Sequence, residues 1–235
     1  MKTITFVLVL LAASAALAQT PGDLSGHWKG TIEIPGNAIE FEVDLARNAR
    51  GDLFGTATAG VDKVTLPLQT VALDGNELTF FARTDQPFKG EVSSRGRSVS
   101  GTATLSGYSL PFTMDRTGDA TIEPRPTSPA VGKDLEGVWT GVLSGPSRQL
   151  HFVLTIANQP DGNALAHEVS VDEGRLMLYV VVKQNGRRVT IDSRGVPTSF
   201  AGDLNAGNTE ISGTWTQGET RLPLTLTRAT VEGQR

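Results

Sequence analysis

Two stretches of this chain resemble each other and decide the fold: Ile211–Arg228, "ISGTWTQGETRLPLTLTR", and Val99–Arg116, "VSGTATLSGYSLPFTMDR". In each, apolar and polar residues alternate on both sides of a short turn that contains glycine. Alternation with a period of two is typical of β-strands, and glycine is favoured in tight turns. Each stretch therefore predicts the last hairpin of an all-β domain.

The similarity extends along the whole chain at a spacing of about 111 residues. Three residues near the start of the first copy align with three in the second: Gly26 with Gly137, Trp28 with Trp139 and Gly30 with Gly141. Solenoid repeats are only about 20 to 50 residues long, so a period of this length indicates that a whole domain is duplicated. We predict a first repeat at residues 19–118 and a second repeat at residues 135–235.

The two ends of this duplication are marked by segments of different composition. Residues 1–18 place Lys2 before an apolar run and end in Ala16–Ala18, the pattern of a signal peptide cleaved before Gln19. The apolar run is about 15 residues, whereas an uncleaved anchor needs about 20, so we expect cleavage and no membrane span afterwards. Residues 119–134 hold three prolines and many small polar residues, which predicts a linker.

Each repeat is predicted to contain eight short strands. In the first repeat they lie near residues 28–34, 38–46, 52–59, 64–73, 77–83, 87–93, 97–104 and 108–115. Successive hairpins need no long crossover, and closure of the sheet removes exposed strand edges. The fold class is therefore all-β, with two tandem eight-stranded antiparallel up-and-down β-barrels. Two-sheet β-sandwiches are the alternative.

Several chemistries are disfavoured by composition. The chain has no cysteine and only three histidines, and no histidine pair has the spacing of a metal site. No serine lies in a nucleophile motif, so we expect a protein that is not an enzyme and has no cofactor or metal. The net charge of −4 is spread along the chain and argues against nucleic acid as a partner. A hydrolase that uses Glu40 or Glu42 near His27 is the rival hypothesis.

Five large side chains are the candidate ligand-binding residues: Trp215, Tyr179, Met177, Trp139 and Trp28. Trp28 and Trp139 occur in both copies, which suits a role in closing the barrel ends, while Ala103 replaces Trp215 in the first copy. Tyr179 and Met177 lie in "RLMLYVVVKQ", residues 175–184, which is apolar on both faces. Such a strand predicts a contact between the barrels or with a partner, or a ligand-lined pocket.

The second repeat resembles the non-catalytic N-terminal β-domain of secreted bacterial α/β-hydrolases that are serine hydrolases. The positions that carry the resemblance are Gly137, Trp139, Gly141, Leu143, Gly213, Thr214, Trp215, Gln217, Leu222, Pro223, Leu224, Leu226 and Arg228. The chain ends seven residues after Arg228, without the hydrolase domain, so the resemblance implies a stand-alone relative of an accessory domain. The short Gly-x-Trp strings are also similar to those of avidin-like and lipocalin-like barrels.

Taken with the signal peptide, these observations predict a secreted or periplasmic, non-enzymatic binding or interaction protein. A barrel of eight strands can hold one small, mostly apolar ligand, and a protein partner is the other expected class of ligand. The alternative is an accessory subunit of a secreted hydrolase, or such a hydrolase itself.

Overall fold

A computed structural model describes residues 22–60, 63–193 and 196–229. Within these ranges the chain forms eighteen β-strands and no α-helix, which confirms the predicted all-β class. No helix that could cross a membrane occurs in the described part of the chain. The predicted signal peptide lies outside the described residues.

The first repeat forms one antiparallel sheet of nine strands in the order β4-β3-β2-β1-β9-β8-β7-β6-β5. The strands are β1 (Gly26–Ile32), β2 (Ile39–Arg47), β3 (Leu53–Ala59), β4 (Val64–Pro67), β5 (Thr70–Asp74), β6 (Glu77–Phe81), β7 (Phe88–Val92), β8 (Ser98–Leu105) and β9 (Tyr108–Gly118). The sheet curls around a single apolar core. The two edge strands of this sheet are β4 and β5, which do not pair with each other, so the sheet stays open between them.

The sheet is open here because the single strand predicted at residues 64–73 is divided into two strands, β4 and β5. Pro67 has no N–H to donate to a ladder, and the pairing of β4 ends there. The next two residues bond in opposite directions: the Leu68 N–H donates to the Gly55 carbonyl at 2.9 Å, and the Gln69 N–H donates to the Phe81 carbonyl at 2.9 Å. The first repeat is therefore a curled sheet, where the sequence predicted a closed barrel.

The second repeat contains a closed eight-stranded antiparallel barrel, as predicted. Its strands are β11 (Gly137–Ser144), β12 (Gln149–Asn158), β13 (Asn163–Ser170), β14 (Leu176–Asn185), β15 (Arg188–Ser193), β16 (Thr198–Leu204), β17 (Glu210–Gln217) and β18 (Thr220–Arg228). The unbroken β14 pairs with both β13 and β15, and β11 pairs with β18. The ring of strand pairs is complete.

A further short strand, β10 (Ser128–Pro129), lies inside the predicted linker and pairs with β13. Ser128 is buried, and its hydroxyl accepts a hydrogen bond from the Val182 N–H at 2.8 Å. Val131 is also buried and belongs to the core of the second repeat. The end of the predicted linker therefore packs against the second repeat.

One end of each repeat is closed by its repeated tryptophan. Trp28 and Trp139 are fully buried, and each indole N–H donates at 3.0 Å to a carbonyl four residues earlier, of Leu24 and Leu135. In the second repeat the guanidinium of Arg228 lies 4.2 Å from the centre of the Trp139 ring, and its Nη1 donates to the Glu136 carbonyl. We call Trp139 and Arg228 the latch, since they join the first and last strands of the barrel.

Candidate functional site

Among the described residues, one acidic side chain, Glu168 on β13, points into the second barrel. Ala164 and Ala166 are buried and point inward, and alternation places Glu168 at the next inward position. Its neighbours across the two adjacent strands are Leu154 and Leu178, both core residues. A carboxyl group therefore stands where a barrel normally places an apolar side chain.

Glu168 lines two connected parts of the barrel interior. The inner part has a volume of only about 20 Å³ and is lined by Leu154, Ile191, Phe200 and other apolar residues. The outer part has a volume of about 230 Å³ and opens to solvent at the end opposite the latch. We call this outer part the second mouth; its lining includes Phe152, Glu168, Ser170, Thr198, Trp215 and Gln217.

The carboxyl group of Glu168 is poorly solvated. Burial disfavours its charged form and raises its pKa to about 7. No hydrogen bond or ion pair with another described residue offsets this cost. The hydroxyl of Ser193, which lines the same inner cavity, is buried and also finds no hydrogen-bond partner among the described residues. Ser193 Oγ is thus a buried polar atom without a partner, and the half-buried Glu168 carboxyl group lies at the border between the cavity and solvent.

The rim of the second mouth is ordered by a separate set of polar contacts. Arg148 Nη2 lies 2.6 Å from Glu173 Oε1, and the Ser170 hydroxyl donates to Glu173 Oε2 at 2.9 Å. The same turn packs on the first repeat, because the Gly174 carbonyl accepts a hydrogen bond from the Thr84 N–H at 2.8 Å. The first repeat therefore supports one side of the rim.

Among the described residues, the inner cavity is lined by one titratable group, Glu168, and the second mouth adds Arg148 and Glu173, which pair with each other. No cluster of metal-ligating side chains occurs among the described residues. The second mouth thus offers an apolar and aromatic wall with one inward carboxyl group.

The structure places the five predicted ligand-binding residues in three different environments. Trp215 lines the second mouth beside Glu168. Trp28 and Trp139 are fully buried, each at the closed end of its repeat and away from the open end, as a residue that closes a barrel end would be. Tyr179 and Met177 lie on the outer face of β14, half-buried. The five residues therefore do not line one pocket.

The outer face of β14 makes a contact between the repeats. β14 packs against β4, and the guanidinium of Arg125 lies 5.1 Å from the centre of the Tyr179 ring. A groove of about 370 Å³ runs along this contact, lined in part by Pro67, Pro124 and Tyr179. The strand therefore contacts the first repeat, while the partner and the ligand-lined pocket stay predictions.

The residues of the rival hydrolase hypothesis lie on the outer surface of the first repeat. His27 Nδ1 is 3.0 Å from Asp44 Oδ1, and His27 Nε2 is 4.0 Å from Glu42 Oε2. Asp44 Oδ1 also accepts a hydrogen bond from the Thr121 N–H at 2.8 Å, which ties the start of the linker to the sheet. This cluster faces the linker and not a cavity, so its geometry fits a structural role.

Glu168, Ser193 and Phe152 line the cavity but were not among the predicted site residues. Alternation along "NALAHEVS", residues 163–170, puts Leu165 and Val169 on one face and only Ala164 and Ala166 on the other. Because Leu165 and Val169 are larger, the pattern favours their face as the inward one, whereas the structure points Ala164 and Ala166 inward. Alignment of the two repeats indicates the correct inward face. Glu168, which pairs with Leu154, occupies the position of Ala57, which pairs with Val43 in the first repeat.

No protein-family model matches the chain, and no curated protein matches it. Among solved structures, it is similar to a DUF3598-family protein of unknown function from Nostoc punctiforme, with 14% identity, a TM-score of 0.24 and coverage of 87% of this chain and 96% of that one. A candidate outer membrane protein from Bacteroides fragilis shows 10% identity, a TM-score of 0.25 and coverage of 88% and 98%. An agglutinin from Burkholderia oklahomensis shows 12% identity, a TM-score of 0.20 and coverage of 89% and 81%. Function is therefore inferred below from the residues of the site.

Proposed function

We propose that this protein is a secreted or periplasmic, non-enzymatic binding protein that holds a small, mostly apolar ligand in the second mouth. The carrying observation is the unpaired carboxyl group of Glu168 inside an aromatic-lined cavity that opens to solvent. A pocket that is mostly apolar, with a few inward polar groups to orient the ligand, is the usual design of a small-molecule site.

The size of the cavity limits the ligand. A volume of about 230 Å³ lies below the roughly 300 Å³ at which pockets for drug-sized molecules begin. The inner cavity of about 20 Å³ has room for only about one water molecule. The ligand therefore occupies the mouth and stops above the closed core.

Location outside the cytoplasm is supported by the signal peptide pattern at residues 1–18. The resemblance to the β-domain that precedes secreted hydrolases stays a prediction. So does a protein partner, for which the outer groove near Tyr179 is the candidate surface.

The proposal is tested with benzyl alcohol, a neutral aromatic probe, in a protein-observed NMR titration. The chain has three tryptophans and hence three indole N–H signals. We expect the Trp215 signal to move with saturation, because Trp215 lines the mouth, while the signals of the buried Trp28 and Trp139 stay in place.

The matched variant is Trp215→Ala, which installs the residue that the first repeat has at Ala103. We expect it to weaken binding about tenfold, as expected for the loss of a large aromatic contact. A titration in which no indole signal moves, or in which only Trp28 or Trp139 responds, would contradict the proposal.

A further inference from the structure

We propose that the second mouth selects ligands that carry a protonated amine on a small aromatic or apolar body, with the ammonium group bound at Glu168. This inference rests on the proposed function and adds the chemical class of the ligand. It follows from the charge, the aromatic lining and the depth of the site.

Glu168 is the one charged side chain among the described residues that line the inner cavity. The strands that surround Glu168 contribute uncharged side chains to this cavity: Leu154, Leu178, Ile191, Phe200 and Trp215. The charged groups nearest the opening, Arg148 and Glu173, pair with each other at the rim. Glu168 is half-buried, and a poorly solvated carboxylate without a cation is costly, so a ligand cation that pairs with it removes that cost.

The aromatic residues favour the same ligand charge. Phe152 and Trp215 line the mouth together with Glu168, and Phe200 lines the deeper part. The faces of aromatic rings carry negative potential and attract ammonium groups, most strongly where water is excluded. They would disfavour a carboxylate or a phosphate ligand in the same position.

The depth of Glu168 sets the shape of the ligand. Its carboxyl group reaches both the shallow and the deep part of the cavity, so the ammonium group must enter first. The mouth volume of about 230 Å³ equals that of about eight molecules of liquid water. A single ring or a short alkyl chain with a terminal amine fits these limits.

The first repeat explains why one mouth has this selectivity and the other lacks it. Four positions at the same end are apolar in the first repeat and polar in the second: Ala57, Ala59, Ala82 and Leu105 become Glu168, Ser170, Ser193 and Gln217. The corresponding cavity of the first repeat, lined by Phe41, Ala57 and Leu105 among others, has a similar volume of about 250 Å³ but no carboxylate in its lining. Its phenylalanine rings can contact a cation, but its lining has no carboxylate to pair with an ammonium group.

The test compares benzylamine with benzyl alcohol, which differ mainly in the charged group, by NMR titration of the full mature protein at pH 8. A hydrogen bond to a charged partner contributes about 1.5 to 3 kcal/mol, so we expect benzylamine to bind at least about tenfold tighter. Glu168→Gln keeps the size of the side chain and should reduce the ratio of affinities to about one. Glu210→Gln, at an exposed strand position outside the lining of the mouth, is the control and should keep the preference.

The pH dependence provides a second readout. Because burial raises the pKa of Glu168 to about 7, lowering the pH from 8 to 6 should weaken benzylamine binding by roughly tenfold. Benzylamine itself stays protonated over this range, and benzyl alcohol should bind almost equally at both pH values.

The outcomes separate the two proposals. Equal affinity for both probes at the Trp215 signal would overturn the amine selectivity and leave the binding function in place. Failure of both probes to bind would overturn the proposed function itself. Tighter binding of benzylamine that survives in Glu168→Gln would also overturn the inference, because the ammonium group would then bind elsewhere.

Discussion

The open ends of the two repeats are built from aligned positions and differ in what they hold. In the first repeat, four phenylalanines pack together, with the rings of Phe80 and Phe88 stacked at 4.8 Å and Phe41 and Phe112 against them. In the second repeat, Ile191 and Leu224 replace two of these rings, and Trp215 occupies the position of Ala103. Smaller residues at the centre make room for a larger aromatic residue beside the carboxyl group.

The comparison shows which features of a duplicated fold serve stability. Features that both copies share, such as Trp28 and Trp139 with their indole bonds to the preceding loop, hold the closed ends. Features that differ between the copies, such as Glu168 and Trp215, gather at one open end. The difference between the copies is therefore a better guide to the site than the similarity.

The largest effect is expected at the closed end. Trp139→Ala should lower the free energy of unfolding by about 3 to 5 kcal/mol, because a fully buried indole is removed from a packed core. Trp215→Ala should cost about 1 to 2 kcal/mol, since that ring is partly exposed. Urea denaturation of both variants measures the contrast, and equal losses would show that the two tryptophans have the same role.

The next effect concerns Glu168 and pH. Because burial raises the folded-state pKa of Glu168 to about 7, the protonated form favours folding. This contribution is present below the unfolded-state pKa near 4.5 and is lost as the pH rises through about 7. We expect the wild type to lose on the order of 2 kcal/mol of stability from pH 5 to pH 8 through this group.

Glu168→Gln should remove that part of the pH dependence, while Glu210→Gln, at an exposed strand position, should retain it. Urea denaturation at the two pH values measures the difference. A wild type and a Glu168→Gln variant with the same pH profile would place the carboxyl group in contact with solvent.

The smallest effect tests the contact between the repeats. Gly174 has a positive φ of 62°, and a methyl group there would overlap the Asp85 carboxylate of the first repeat. Gly162 also has a positive φ, 82°, but an added methyl group would meet no neighbouring atom. Both Gly→Ala variants should lose about 1 kcal/mol from backbone strain.

We expect Gly174→Ala to lose a few tenths of a kcal/mol more, because the repeats would move apart at Thr84 and Asp85. Thermal unfolding of the two variants compares them directly. A larger loss in Gly162→Ala would show that this contact adds nothing to the stability of the chain.

The strands and their faces were largely predictable, and the closure of the first sheet was not. In "IEFEVDL", residues 39–45, strict alternation places Phe41, Val43 and Leu45 in the core, as the structure confirms. The stretch 64–73 has similar composition to β14, and a single proline decides that it becomes two strands. A local pattern does not reveal whether a ladder survives such a break.

The site was only partly predictable for a related physical reason. Trp215 was found because it is large and differs between the copies. Glu168 was missed because alternation ranks strand faces by apolar size, and β13 reverses that ranking: its inward face holds the small Ala164 and Ala166 before Glu168, and Leu165 lies outside. A functional cavity in a barrel requires this kind of local conflict.

The latch also bears on the order of events during folding. Most strand pairs join neighbours along the chain, and β11 with β18 is the pair in the second barrel that joins its two ends. Pairs that are distant in sequence form slowly, because a long loop must close before any contact forms. The stacking of Arg228 on Trp139 therefore completes only when the ring of strands closes, and the fluorescence of Trp139 should report the last and slowest step of refolding.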